Sequence, residues 1–296
     1  MRESAQPVDG PVKPALRAIP PGLHFVSTPI GAARDITLRA LDVLAGVDVL
    51  VAEDTRTLRH LMEIHGLALG GRPLISYHDH SGGAVLPRLI AALRNGQSIA
   101  YASEAGTPLI SDPGFELARA VVAEGLPISA APGPCAAICA LTVSGLPSDR
   151  FLFAGFAPVT QSARRSFLAT LKTVQATLIL YESPKRVHAL LADLVASLGG
   201  ARQAVVCREL TKKFEELTRG TLAELTADFA GRSPKGEIVV LVDRAKAEAA
   251  DTETLEAALE KAMKEMSMKD AAAVVAEAFG LPRREVYQLA LKRPTG

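Results

Sequence analysis

Short apolar runs alternate along the chain with longer segments in which apolar residues recur at helical spacing. The alternation predicts strands at 23–27, 47–52, 73–76, 98–102 and 128–130, and helices at 36–45, 57–65, 84–94, 115–124 and 135–141. Asp35 is placed to cap the first helix, because its short polar side chain can accept from free backbone N–H groups. Strands separated by helices of this length indicate βαβ units and a mainly parallel sheet.

The same alternation resumes after a boundary at 145–148 that contains Gly and Pro. It predicts strands at 151–154, 177–181, 203–208 and 237–242, helices at 162–171, 184–198 and 222–228, and a hairpin near 214–218. After Asp243 the composition shifts to Ala, Glu, Lys and Met with helical periodicity, and Ser267 with Asp270 resembles a capping box. These helices form either a nucleic-acid-contacting hairpin or, as we favour, a packing element.

The pattern therefore predicts the α/β class with two α/β domains and an additional helical part. The proline-rich stretch 1–22 is predicted to be a disordered tail. We place an N-terminal α/β domain at 23–146, a C-terminal α/β domain at 147–243 and a small helical appendage at 250–293.

The amino-acid composition agrees with this predicted fold and adds only a few constraints. The chain has 296 residues, 48% of them hydrophobic and 22% charged, which is typical of a globular protein. A net charge of +1 shows no overall basic character of the kind that nucleic-acid-binding proteins often have. The uncharged stretch 125–148 is broken by Pro and Gly, so we interpret it as buried core rather than a membrane span. Three cysteines without paired spacing suggest a cytoplasmic protein.

Three loops that follow predicted strands, at 27–31, 103–114 and 131–135, are rich in Gly and Pro. Glycine lets a ligand approach the backbone closely, and proline holds a loop in one conformation. Ligands of open parallel sheets bind at the carboxyl ends of the strands. The sequence thus predicts a pocket at this edge, and the absence of a glycine-rich phosphate loop favours a ligand held by backbone groups over a diphosphate.

Polar clusters also follow predicted strands. Residues 53–56 (Glu-Asp-Thr-Arg) come after the second strand, and residues 78–80 (His-Asp-His) come after the third. His78 and His80 could hold a metal ion, but two ligands are weak evidence, and we expect no metal. Tyr181 and Glu182 end a strand of the second half, ahead of two cations.

Several basic residues lie at loops or helix starts near the same edge. Each alone is typical of a solvated surface charge, whereas together they fit contacts with phosphate groups. The residues predicted to contact phosphate groups, such as those of a nucleic acid, are Arg56, Arg164, Arg165, Lys185, Arg186, Arg208 and Lys212.

The motifs then form a recognisable set. They are TPIG-x-x-x-DIT (28–37), AEDTR (52–56), HDH (78–80), GTPLISDPG (106–114), PGPCAA (132–137), SGLPSDRF (144–151), YES (181–183), RELTK (208–212) and KGE (235–237). In this order they resemble the tetrapyrrole-methylase (class III) superfamily, and within it the family that methylates small-subunit ribosomal RNA. The resemblance covers about residues 23–243. Glu104 stands where that family usually has Asp, and residues 32–34 also depart from its pattern.

The resemblance implies transfer of a methyl group from S-adenosylmethionine to the 2′-hydroxyl of a cytidine in the decoding region of 16S rRNA. It implies a donor bound between the two α/β domains, a small-ribosomal-subunit substrate, a homodimer and no membrane. The implied donor contacts are Pro29, Gly31, Gly106, Thr107, Pro108, Ile110, Gly133, Cys135, Ala136, Tyr181 and Gly236.

A ribose hydroxyl is a poor nucleophile, so a positioned base should accelerate its methylation. Asp54, His80 and Glu182 are the candidates, because each follows a predicted strand, and the sequence does not decide between them. Two other functions stay open. One is a C-methylase of a tetrapyrrole, and the other is a non-catalytic ribosome-assembly protein that binds RNA on the same fold.

Overall fold

A five-stranded sheet forms the first half of the computed structural model, which describes residues 18–78, 82–245, 252–279 and 281–291. Its strands are β1 (Gly22–Val26), β2 (Val49–Ala52), β3 (Leu74–Ser76), β4 (Ser98–Ala102) and β5 (Ile128–Ala131), in the spatial order β3-β2-β4-β1-β5. Every strand pair is parallel, as the sequence predicted. Most of these strands are buried on both faces, which explains why they are continuous apolar runs.

Five helices accompany this sheet: α1 (Leu38–Gly46), α2 (Thr55–Ile64), α3 (Gly82–Arg94), α4 (Phe115–Ala123) and α5 (Ala136–Ser144). The predicted cap of α1 was wrong. Residues Ala33–Asp35 form a 3₁₀ turn, and α1 begins after Thr37, whose hydroxyl accepts a hydrogen bond from the Ala40 N–H. Apolar clusters on both faces of the sheet form two cores that fix the positions of the loops at its carboxyl edge.

The second sheet contains β6 (Phe151–Phe156), β7 (Thr177–Glu182), β8 (Gln203–Arg208), β9 (Glu216–Thr221) and β10 (Ile238–Val242). Their order is β6-β7-β10-β8-β9, and only β6 and β7 are parallel. Unlike the first sheet, the second sheet is therefore mainly antiparallel. β10 inserts between β7 and β8 and runs antiparallel to both, and β8 and β9 form a hairpin.

Helices α6 (Gln161–Thr170), α7 (Val187–Leu198) and α8 (Leu222–Phe229) cover one face of the second sheet. Helix α5 covers the other face, where Ala137, Ala140 and Leu141 pack with Ile179 and Leu241. Because α5 follows β5 directly, it joins the two sheets through a shared apolar core. This contact places the carboxyl edge of the first sheet against the open face of the second.

The C-terminal part folds as α9 (Thr252–Glu265), α10 (Met268–Phe279) and α11 (Arg283–Leu291), which share a separate small core. The Ser267 hydroxyl accepts from the Asp270 N–H at 3.2 Å, as the capping motif predicts. No helix in the described part of the chain is long and apolar enough to span a membrane. The predicted domain boundaries, including the tail at 1–22, stay predictions.

Candidate active site

A cavity of about 430 Å³ opens between the two sheets. Its lining comes from the loop after β4, the start of α5, the ends of β6 and β7, and the segment that leads into β10. The lining residues include Glu104, Gly106, Thr107, Ile110, Asp112, Cys135, Ala136, Phe156, Tyr181, Gly236 and Glu237. The Gly- and Pro-rich loops after β4 and β5 therefore meet the second sheet here.

The loop after β4 is held by specific hydrogen bonds. Thr28 and Gly106 exchange two backbone hydrogen bonds, of 2.9 and 3.1 Å, and Gly106 has the left-handed φ of 85°. The Thr107 hydroxyl donates to the Pro134 carbonyl at 2.8 Å, which ties this loop to the loop after β5. Left-handed conformations at Leu109 and Ser111 add strain of the kind that concentrates at functional sites.

The opposite wall is aromatic and is connected to the first half by α5. The Tyr181 hydroxyl accepts from the Ala137 N–H at 3.0 Å, and burial raises the pKa of Tyr181 above its ordinary value. Its ring packs edge-on against Phe153 and Phe156, with centroids 4.8 and 5.7 Å apart. Phe156 lines the cavity while remaining 54% exposed, which is unusual in a chain with so few aromatic residues.

Most of the predicted donor contacts do line this cavity: Gly106, Thr107, Ile110, Cys135, Ala136, Tyr181 and Gly236. Pro29, Gly31, Pro108 and Gly133 do not. A Cβ atom on Gly31 would lie 2.5 Å from the Lys212 side chain, and one on Gly133 would lie 2.8 Å from Ser27. These two glycines permit close packing of loops that support the cavity, and their contact with the donor stays a prediction.

Carboxylates dominate the charge of the cavity. Glu104, Asp112, Glu182 and Glu237 line it, and none of the described lining residues is Lys, Arg or His. Burial, reinforced by the negative charges of Glu53 and Glu104, raises the pKa of Asp112 to about 6. The cavity therefore suits a cationic ligand and opposes an anionic one.

Glu182 lines the cavity, but its carboxylate is held toward the other face of β7, and its role as a base stays a prediction. Successive side chains of a strand point to opposite faces. Tyr181 packs on the α5 face of β7, whereas Leu180 packs in the core on the other face. Glu182 therefore lies on the latter face, where its fully buried side chain forms an ion pair with Arg186 at 3.2 Å.

Asp54, another predicted base, has a structural role at the start of α2. It caps α2 by accepting from the Arg56 N–H at 2.8 Å, and its second oxygen accepts from the Arg56 guanidinium at 2.7 Å. These hydrogen bonds lower the pKa of Asp54 to about 2, which makes it a poor base, and it does not line the cavity. His80, the third candidate, lies outside the described residues.

Arg164 was also wrongly assigned to an RNA-binding edge. It is 5% exposed, and its guanidinium forms an ion pair with buried Asp193 at 2.7 Å. Arg165 contacts the same carboxylate at 2.6 Å but keeps 51% of its side chain exposed. A buried guanidinium stabilises the packing of α6 on α7 and is not accessible to a phosphate group.

The remaining cations that were predicted to bind RNA differ in how far their side chains are exposed to solvent. Arg208 pairs with Glu216 at 2.8 Å, and Lys212 is held between Glu209 and Glu237 at 2.8 and 2.7 Å. Arg56 is 90% exposed beyond its contact with Asp54, and Lys185 is exposed. Of the cations predicted to bind RNA, Arg56, Arg165 and Lys185 are therefore the ones most exposed to solvent.

Sequence reasoning missed Asp112 and Phe156 as cavity residues. Asp112 lies within the GTPLISDPG motif, so a carboxylate in a constrained loop at a strand end was the available signal. Phe156 carried no comparable signal, because β6 extends two residues beyond its predicted end at 154. Among the described residues no group of His, Cys, Asp and Glu could hold a metal ion.

Comparison with protein families agrees with this geometry. Residues 22–226 match the family described as tetrapyrrole (corrin/porphyrin) methylases. Residues 248–293 match the family described as the RsmI C-terminal HTH domain. The second match favours the helix-turn-helix interpretation of the C-terminal helices over a plain packing element.

Two relatives are similar over nearly the whole chain. The chain is 46% identical to ribosomal RNA small subunit methyltransferase I of Mesorhizobium japonicum, covering 95% of each. It is 44% identical to the protein of the same name from Xylella fastidiosa, covering 90% of this chain and 98% of the relative. Among solved structures, uroporphyrin-III-C-methyltransferase of Thermus thermophilus aligns with a TM-score of 0.53 at 23% identity, over 79% of this chain and 98% of that one, which shows the shared fold.

Proposed function

Because this chain belongs to the tetrapyrrole methylase family, and within it to the ribosomal RNA small subunit methyltransferase I family, we propose that it methylates the ribose 2′-hydroxyl of a cytidine in the decoding region of 16S rRNA. The family is dependent on S-adenosylmethionine as methyl donor. We infer a cytoplasmic location, because ribosomal subunits are assembled there.

The acidic cavity is the observation that carries this proposal. S-adenosylmethionine supplies a methyl group on a positively charged sulfonium sulfur, so carboxylates around the cavity attract it. Gly106 lacks a side chain that would obstruct a ligand near the backbone, and Thr107, Cys135 and Tyr181 line the adjoining wall. The residues present therefore fit the donor by charge and by access to backbone groups.

The same charge argues against a tetrapyrrole substrate. A macrocycle that carries several carboxylates would need cations in the cavity, whereas Glu104 and Asp112 would repel it. Repulsion between like charges also excludes the phosphates of RNA from the interior. Only an uncharged part of a nucleotide, its ribose and base, suits the cavity.

The exposed cations and the exposed ring of Phe156 fit an RNA nucleotide that lies partly outside the cavity. Arg56, Arg165 and Lys185 are available to phosphate groups, and the exposed ring of Phe156 offers a surface on which a base can stack. Stacking of unpaired bases on aromatic side chains is a common mode of RNA recognition. The helix-turn-helix segment at 248–293 provides a second contact with the RNA.

Methyl transfer requires alignment of the hydroxyl oxygen with the sulfur–methyl bond and exclusion of water. The fixed loops after β4 and β5 and the wall around Tyr181 supply this positioning, which in favourable cases lowers a barrier by about 7–11 kcal/mol. A base near the hydroxyl adds a further acceleration.

The substrate would be the small ribosomal subunit rather than free RNA, since a net charge of +1 favours recognition of shape over strong binding to any RNA. A homodimer would cover apolar side chains that are exposed on α4, namely Phe115 at 57% and Val122 at 63%. Light scattering should then give twice the mass of one chain.

Labelled S-adenosylmethionine tests the proposed function directly. We expect the purified protein to transfer the labelled methyl group to small subunits that lack the modification, and nuclease digestion to release 2′-O-methylcytidine. Label on a tetrapyrrole instead would establish the C-methylase alternative. Binding of subunits without binding of the donor in calorimetry would establish a non-catalytic assembly protein.

A further inference from the structure

Asp112 occupies the part of the cavity where the first sheet meets the end of β6. The hydroxyl of its neighbour Ser111 lies 3.7 Å from the position that a Cβ atom on Gly155 would take. Asp112 itself lines the cavity together with Phe156, the exposed aromatic residue that follows Gly155 in the chain. Asp112 therefore shares the cavity with the aromatic ring on which we propose that a base of the RNA stacks.

The backbone around Asp112 is rigid. Leu109 and Ser111 have left-handed conformations, with φ of 70° and 63°. Directly after Asp112, the carbonyl of Pro113 accepts a hydrogen bond of 3.0 Å from the hydroxyl of Tyr101, which is fully buried in the first sheet. Rigid support of this kind holds a functional side chain in a fixed orientation.

The carboxylate of Asp112 is also available for chemistry. It forms no hydrogen bond and no ion pair with the residues that the structure describes. The other carboxylates near the cavity differ from it. Arg186 holds Glu182 on the far face of β7, Lys212 holds Glu237, and Glu104 is exposed to solvent.

We propose that Asp112 is the general base that accepts the proton of the ribose 2′-hydroxyl, an assignment that rests on the proposed function. The ribose oxygen forms a bond to the methyl carbon as the sulfur–carbon bond breaks, and the electron pair of that bond stays on sulfur, leaving a neutral thioether. The hydroxyl proton passes to a carboxylate oxygen of Asp112 and then to water after the product leaves.

The surroundings of Asp112 suit this step. Burial raises its pKa to about 6, and the negative charges of Glu53, at the end of β2, and Glu104 contribute in the same direction. Such a group is ionised at neutral pH and is a stronger base than an ordinary carboxylate. The other titratable groups around it are Arg56 near Glu104, His78 near Glu53, and Tyr181 across the cavity.

An isosteric substitution tests the assignment. Asp112→Asn should slow single-turnover methylation of small subunits by about 10²–10⁴-fold at saturating donor, while calorimetry gives a donor affinity within about threefold of wild type. Asp228→Asn is the matched control, because Asp228 lies in α8 outside the cavity lining with 52% of its side chain exposed, and its rate should stay within about threefold.

The outcomes separate this assignment from the proposed function. If the wild-type protein transfers no methyl group to ribose, the proposed function fails and the assignment fails with it. If the wild-type protein is active and Asp112→Asn stays within about threefold of it, only the assignment is overturned.

A pH profile gives a second test that does not depend on the Asn variant. The ionised carboxylate is the active form, so the wild-type single-turnover rate should rise with pH up to a midpoint near 6 and then level off. Glu53→Gln removes a like charge without altering the cavity lining, so it should move the midpoint to lower pH. An unchanged midpoint in Glu53→Gln would overturn the assignment.

Discussion

The two sheets use charged residues in opposite ways. In the second sheet, cations and carboxylates neutralise each other within the fold, as in Arg164 with Asp193 and Arg208 with Glu216. At the carboxyl edge of the first sheet, Asp112 lies in a strained loop without such a partner among the described residues. The first arrangement stabilises the fold, whereas the second leaves a carboxylate available to a ligand.

This difference changes how the basic residues of the second half are interpreted. A cation near a functional edge suggests phosphate binding only where its side chain stays exposed, as in Arg56 at 90%, and not where a carboxylate holds it largely buried, as in Arg208 at 20%. The second sheet therefore acts mainly as a rigid wall, and the loops of the first sheet supply the chemistry.

Arg164 provides the strongest test of this comparison. Arg164→Ala leaves the buried Asp193 with a weaker set of partners, so it should lower the free energy of unfolding by about 3–5 kcal/mol. Denaturant unfolding measures this change. Arg165→Ala removes the exposed partner of the same carboxylate and should cost at most about 1 kcal/mol. Equal losses of unfolding free energy in the two variants would contradict the claim that the buried partner of Asp193 stabilises the fold more than the exposed one.

Gly106 tests whether the first-sheet loop forms the donor site. Its φ is 85°, and a Cβ atom would lie 3.3 Å from Ile30, so Gly106→Ala should strain the loop that lines the cavity. We expect calorimetry to show donor affinity weaker by about tenfold, or ~1.4 kcal/mol.

Gly96→Ala is the control for Gly106→Ala. Gly96 has a similar φ of 78°, but a Cβ atom there would meet nothing within 4 Å, and the residue does not line the cavity. It should reproduce the backbone strain while leaving donor affinity unchanged. Equal donor affinities in the two variants would place the donor elsewhere.

The sequence predicted the first sheet and its loops well, because local signals determine them. Apolar runs marked the parallel strands, and Gly with Pro marked the loops that contribute Thr107 and Cys135 to the cavity. The antiparallel position of β10 between β7 and β8 could not be predicted in this way, since it depends on pairing between strands that are distant along the chain.

Several predicted site residues differ from the observed cavity lining or orientation for physical reasons. Tyr181 and Glu182 are adjacent in a strand, so their side chains point to opposite faces, and because residues 178–180 are all apolar, the sequence does not show which of the two side chains faces the cavity. Gly133 lies in the predicted loop, but composition does not reveal which side of a turn contacts a ligand. Burial of Arg164 depends on its contact with Asp193, which is 29 residues away.

The smallest expected effect concerns RNA affinity. The double variant Arg56→Ala/Lys185→Ala removes two exposed cations, so the slope of log affinity against log salt for small subunits should flatten by about 1.4. Arg208→Ala/Lys212→Ala removes cations that are already paired and should flatten the slope by less than half as much. The reverse order would show that the paired cations bind the RNA.

A crystal structure of the complex with S-adenosylhomocysteine tests the central claim most directly. We predict that the ligand occupies the cavity between the sheets, in contact with Gly106, Thr107, Cys135 and Tyr181, and that its sulfur faces the side of Asp112. Binding outside this cavity, or a sulfur directed away from Asp112, would contradict the assignment of the first-sheet loops to methyl transfer.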